Sequence, residues 1–530
     1  MTARWRHRVW SIALFCLLGV GLSAGQSEAR PSNDAIRAAK FLRAWQFDKA
    51  RAIINPIVAA DPTSEVSRYL QAELDFFDGK YPKVMAGLEG MDDSDVDNNV
   101  GPLRKLAASS YQVTKDFQSS LSAGGHFRIY YAKGKDQAIV DLTSEVLEAA
   151  YEALGADLGH KPSTVIRVEL LGAPSDLSMV STLKASEIET TGTIALCKYG
   201  KLMVVSPRAT VFGYPWMDTL THEYVHYVVT QMSHDTVPVW MHEGLARYLQ
   251  VRWRGPADGK LGTLDEHLLS AAVKKNKLVS FDDMHPSMAK LPSQEAAALA
   301  FAEVSTMMAF VHRTVGDAGL RQAILGVKDG KSARKSVAEV MGKKWPQVEA
   351  DWIRHLKGSR LQSKKFAERG RTIRFRKGEG NDENVGVEAI KNERARKFTR
   401  LAGMLRARGK TAASAIEYEK AHKLSGSADP LIGAKLSRVY LELGRYQEAI
   451  AVAEPLLDID EMDPVPPTTV GAARLASGNF QGASDAFERA LRISPFDLRV
   501  RCGLAESYQE LGDKRAVRER EACELLQQVR

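Results

Sequence analysis

The chain has 530 residues, a formal net charge of +8, 44% hydrophobic and 26% charged residues, and four cysteines. That length accommodates two to four domains. So mild a positive charge makes no case for nucleic acid, and so few cysteines exclude a disulfide scaffold. Residues 1–8 are rich in arginine, and Val9 to Leu22 is nearly all apolar. A basic head before a short apolar core reads as a signal peptide over 1–29, with a small-x-small cleavage site at Ser27-Glu28-Ala29. The core is short for an uncleaved anchor. An exported protein, periplasmic or secreted, is therefore expected. No later stretch is long and apolar enough to cross a membrane, so no integral membrane domain remains after leader removal.

Residues 30–122 read as helical. Phe47 and Tyr81 stand one 34-residue period apart, Gly79 supplies a turn before Tyr81, and Pro62 ends a helix. Trp45 occupies the place before Phe47 where a glycine is expected. Asp92 to Asp97 is acidic but lacks the glycine and terminal glutamate of a calcium loop, so it reads as a solvated connection.

Residues 123–360 change character. Strands are expected over 127–131, 164–171, 193–196 and 202–205, with a helix over 138–154 between the first two. Lys198-Tyr199-Gly200-Lys201 reads as a hairpin turn. The 202–205 strand is a candidate exposed edge, beside which an extended substrate would add. A buried helix is expected over 216–231 and a second over 239–250. Further helices follow over 263–275, 294–314, 319–325, 333–341 and 345–356, with a candidate gating loop at 255–262.

The 216–231 helix carries His222-Glu223-Tyr224-Val225-His226. Residues four apart share a helix face, so His222 and His226 can hold one zinc ion, while Glu223 sits beside them to accept a proton from the attacking water. Glu243, in Trp240-Met241-His242-Glu243-Gly244, can return a carboxylate to the same ion from the second helix. Gly244 permits close packing of that helix. The segment 193–251 resembles the gluzincin zinc metallopeptidases, and most closely the peptidase MA-like domains of bacteria. The resemblance implies zinc as cofactor, His222, His226 and Glu243 as its ligands, and Glu223 as general base. Relatives often carry an acid four residues after the glutamate ligand to orient a ligand histidine, whereas this chain has Arg247, a potential partner of Glu243. The histidines then need another acceptor, among them Asp218, Asp235 or a backbone carbonyl. For stabilising an oxyanion, His234, His242, Tyr248, Tyr227 and His312 are near, and none is assigned. His242, directly before a ligand on its helix, is expected to point away from the site.

Residues 361–390 are polar and charge-blocked and read as a linker; Phe366, Ile373 and Phe375 alternatively suggest a short hairpin packed on the preceding domain. Beyond it, Gly444, Gly478 and Gly512 repeat at a 34-residue period, with Gly409 one residue out of register, and Ala449 and Ala483 hold matched crossing positions. Residues 391–530 thus resemble tetratricopeptide repeats, and 30–122 a degenerate version. Cys502 and Cys523 either pair or are buried separately. The fold expected is α+β: a zincin-like metallopeptidase domain flanked by all-α tetratricopeptide-like helical repeats. The function expected is a zinc endopeptidase acting on a peptide or protein substrate, with a protein partner on the repeats. The alternative is a noncatalytic zinc-binding scaffold.

Overall fold

The computed structural model describes residues 32–92, 99–288, 291–363, 373–376, 386–426 and 429–528. The expected signal peptide, Asp93 to Asp97 and most of the linker lie outside the described residues. The described chain is mostly helical, with one small mixed sheet.

Helices Asn33–Arg43, Phe47–Ala60, Glu65–Phe77, Tyr81–Gly87 and Val100–Thr114 come first. Ser32 and Ser64 start two of them by accepting the backbone N–H groups of Ala35 and Ser67. Gly79 takes the left-handed conformation at φ +71°. So does Trp45, at φ +51°, where a bulky residue is disfavoured. Its ring lies 5.3 Å from that of Tyr227, and its carbonyl accepts from Gln231 at 2.9 Å. Docking on the motif helix explains the tryptophan at a glycine-type turn.

The sheet has five strands in the order β1-β2-β3-β5-β4. These are β1 (Gln118–Leu121), β2 (Phe127–Tyr131), β3 (Ile166–Leu171), β4 (Ala195–Lys198) and β5 (Lys201–Val205). The β2–β3 and β3–β5 pairs are parallel, and the outer pairs are antiparallel. Helix Val140–Leu158 makes the crossover that a parallel β2–β3 pair requires. β1 was not foreseen: its residues fall in the stretch expected to be helical. Tyr199 and Gly200, both at positive φ, turn the β4–β5 hairpin. β5 is buried throughout and pairs on both sides. The expectation of an edge at 202–205 is therefore corrected. The hairpin carries β4 outside β5, and β4 is the edge.

Helix Trp216–Ser233 packs on β4, β5 and Val140–Leu158. Val239–Leu249 crosses it and lies against the long helix Gln294–Lys328. A Cβ at Gly244 would sit 2.7 Å from the Val304 carbonyl oxygen, so only glycine allows that approach. The long helix runs through both segments expected at 294–314 and 319–325 and kinks at Gly316, which has φ +65°.

Four helical pairs follow the linker: Glu393–Ala407 with Thr411–Ser425, Pro430–Glu442 with Tyr446–Ala453, Val465–Ala476 with Phe480–Leu491, and Leu498–Glu510 with Ala516–Gln528. Gly409, Gly444, Gly478 and Gly512 each turn one pair with φ between +67° and +74°. Cys502 and Cys523 form a disulfide across the last pair. Within the linker, Arg374 and Arg376 exchange backbone hydrogen bonds with Val211 and Ala209, and Phe375 bridges Thr210.

Both helical regions grip the motif helix. At its start, the Trp216 indole donates to the Leu491 carbonyl at 3.0 Å, and Tyr214 N–H donates to Ile493. At its end stand Trp45 and Gln46. Trp216 is fully buried; burying a large apolar side chain contributes roughly 1.5–3 kcal/mol. One apolar core runs from Ala35 through the sheet and motif helix to Ala516.

Candidate metal centre

The motif helix reads Trp-Met-Asp-Thr-Leu-Thr-His-Glu-Tyr-Val-His and buries nearly every side chain in its middle turns. His222 and His226 fall on the strip left partly open. Their Nε2 atoms lie 3.1 Å apart. From the crossing helix, Glu243 Oε2 is 3.5 Å from His222 Nε2 and 3.7 Å from His226 Nε2. The three side chains thus aim one atom each at a common point, all within 4.8 Å of one another. Donors about 2.0–2.2 Å from a shared tetrahedral ion would lie roughly 3.3–3.6 Å apart. The spacing and the two-nitrogen, one-oxygen chemistry therefore fit a tetrahedral ion such as zinc.

The electrostatics suit the same role. Burial, the dominant influence, pushes the His226 imidazole well below its usual range against the pull of Glu243, so it is neutral with a free lone pair. Burial works against charge on Glu243 too, but the facing imidazoles of His226 and His222 hold its carboxyl at about 2. Two imidazoles and a carboxylate anion then face the point.

Glu223 projects between the motif helix and the edge strand and is buried. Burial raises its carboxyl to about 7; His222 lowers it, Glu243 raises it further, and the Cys197 backbone N–H, donating from β4, lowers it. A carboxyl in that range can exchange a proton near neutral pH.

Arg247 does not take Glu243. Its guanidinium lies 3.8 Å from Asp265 and over the Phe301 ring. Neither acid offered as a histidine acceptor serves: Asp218 accepts from Trp253 and Arg254, and Asp235 lies by Lys198. For His226 the partner is His242, whose Nδ1 is 2.7 Å from His226 Nδ1. The expectation that His242 points away is corrected. Adjacent helical side chains do diverge, but here His226 reaches across from the other helix to the face beside Glu243. The remaining oxyanion candidates are engaged elsewhere. Tyr248 donates to Ala257 in the 255–262 loop and contacts His312, which is bound to Asp317. Tyr227 packs its ring against Trp45, and His234 meets Gln46.

Residues 148–358 match the family described as the Peptidase MA superfamily. A peptidase MA-like domain is thus present, and it contains the His222, His226 and Glu243 cluster. No curated protein matches the chain. Among solved structures, native yeast LTA4 hydrolase is similar at 11% identity and a TM-score of 0.31, over 78% of this chain and 66% of that one. MamA MSR-1 C2 is similar at 17% identity and a TM-score of 0.23, over 27% of this chain and 85% of that one. The Cut9 and Hcn1 hetero-tetramer of APC/C is similar at 10% identity and a TM-score of 0.25, over 94% and 80%.

Proposed function

We propose that the chain is a zinc-dependent endopeptidase, exported, that cleaves a protein substrate by hydrolysis. The observation that carries this reading is the convergence of His222 Nε2, His226 Nε2 and Glu243 Oε2 beside the buried carboxyl of Glu223. In this reading residues 1–29 are a leader, 30–122 and 391–530 are helical arrays, 123–360 is the hydrolase, and 361–390 is the linker between hydrolase and second array.

His222, His226 and Glu243 would hold the ion. A zinc ion held there would supply Lewis acidity toward a carbonyl and toward water. Glu223 accepts the proton of the attacking water on a carboxylate oxygen, then hands it to the leaving nitrogen. The Cys197 N–H holds that carboxylate in place during the transfer. The strand β4 lies next to Glu223 and is the outer strand of the sheet among the described residues, so an extended peptide laid along that edge is the substrate shape we infer. The helical arrays provide faces for a protein partner and seat both ends of the motif helix.

The test uses the purified mature protein with a broad peptide library. One equivalent of bound zinc, cleavage abolished by a chelator, and cleavage lost in Glu223→Gln with zinc retained are expected. Stoichiometric zinc with no cleavage of any peptide would overturn hydrolysis in favour of a zinc-braced binding scaffold.

A further inference from the structure

His226 faces two ways. Its Nε2 is turned to His222 Nε2 at 3.1 Å and to Glu243 Oε2 at 3.7 Å. Its Nδ1 is turned to His242 Nδ1 at 2.7 Å. Two ring nitrogens at that separation share one proton: two bare lone pairs repel, and two N–H groups collide. A ligand nitrogen must present its lone pair, so a neutral His226 that offers Nε2 carries its proton on Nδ1. His242 Nδ1 is then the acceptor. The remaining His242 proton sits on Nε2, which is 3.4 Å from Thr230 Oγ1. Thr230 lies one turn beyond His226 on the same helix and is buried.

We propose that His242 is a positioning residue, which accepts the Nδ1 proton of His226 and so fixes the ring and tautomer that present Nε2 to zinc. This rests on the zinc reading above. The consequence is a coupled helix: neighbouring residues 242 and 243 deliver one support and one ligand. A displacement of Val239–Leu249 loses both together.

The experiment measures zinc affinity of the mature chain by competition with a chromophoric chelator, for wild type, His242→Leu and His242→Asn. Asparagine places its carbonyl oxygen where Nδ1 stood and keeps an acceptor; leucine keeps volume alone. His242→Leu is expected to weaken zinc about 10–100-fold, the usual cost of losing such a partner. His242→Asn is expected to stay within a few-fold of wild type. Equal zinc affinity in His242→Leu and wild type overturns the proposal while leaving the zinc site intact. Failure of wild type to bind zinc overturns the site reading itself. Nitrogen-15 NMR of the wild-type zinc protein needs no variant: a protonated Nδ1 on His226 is expected, and a bare one overturns the proposal.

Discussion

Glu169 on β3 and Glu223 on the motif helix are both buried carboxylates flanking the β4–β5 hairpin, yet they meet opposite surroundings. Glu169 accepts from Lys201 at 2.9 and 3.0 Å, from Arg167 at 2.6 Å and from Tyr81 at 3.3 Å. Burial opposes its charge, but Lys201 and Arg167 hold its carboxyl below the usual range. Glu223 has the Cys197 N–H and the repulsion of Glu243, and burial takes it to about 7. A buried acid surrounded by cations is fixed as an anion and fastens the first helical region, through Tyr81, to the sheet. A buried acid short of donors stays able to trade a proton, which suits a base.

The same substitution should therefore produce opposite outcomes at the two places, and these are the largest effects expected. Glu223→Gln should lower turnover of a cleaved peptide about 10²–10⁴-fold, the range for a lost general base, with thermal stability held or raised. Glu169→Gln removes the carboxylate that balances buried Lys201 and half-buried Arg167, which costs about 3–5 kcal/mol. Parallel melting curves and initial rates decide it. Equal destabilisation by both would erase the distinction between paired and poised acids.

Glu303 extends the comparison into pH. It is fully buried on the long helix, accepts the Val279 N–H at 2.9 Å on one oxygen, and leaves the other without a partner among the described residues. Burial raises its carboxyl to about 8. The folded state thus keeps a proton that the unfolded chain releases near 4.5. Stability from this group is complete below pH 4.5 and falls as pH rises to 8. Glu169 has the reverse sign: its contribution is present above pH 4.5 and is lost as pH falls through its lowered folded value. Glu303→Gln, neutral at every pH, should gain on the order of 3 kcal/mol over wild type between pH 5 and pH 8. Melting temperatures across that window that stay parallel would show the carboxyl to be ionised in the fold.

Much of this was legible in the sequence because its signals are local. Two histidines four apart on a buried helix need only helical geometry. The repeat glycines need only a period and a left-handed turn, and all four take that turn. Tyr199-Gly200 likewise marks its own hairpin. What was not legible is set by contacts distant in sequence. The edge identity of β4 depends on β3 pairing with β5 from the far side. Trp45 overrides its turn preference for a ring 182 positions away, at Tyr227. The Glu169 cluster draws on Tyr81, Arg167 and Lys201, though Arg167 and Glu169 on one face of an apolar strand were a visible sign of a hidden partner. His242 was misplaced because helix geometry fixes the direction a residue leaves its own helix, not what arrives from the next.

The smallest effect expected concerns Arg247, and it tests whether the site is built for metal or against it. A guanidinium one turn beyond Glu243 stands where it would neutralise the carboxylate if it swung inward. It is turned instead to Asp265 at 3.8 Å, with both side chains partly exposed, and stacks over Phe301 with its charged carbon 5.2 Å from the ring centre. An ion pair of that length and exposure is worth less than about 1 kcal/mol. Arg247→Ala should therefore shift stability by no more than that and leave zinc affinity unchanged. A tenfold tightening of zinc would mean that Arg247 competes for Glu243 in solution. The glutamate would then resemble Glu169 more than a free ligand, paired first and available to metal second, and the balance would tilt toward a binding scaffold.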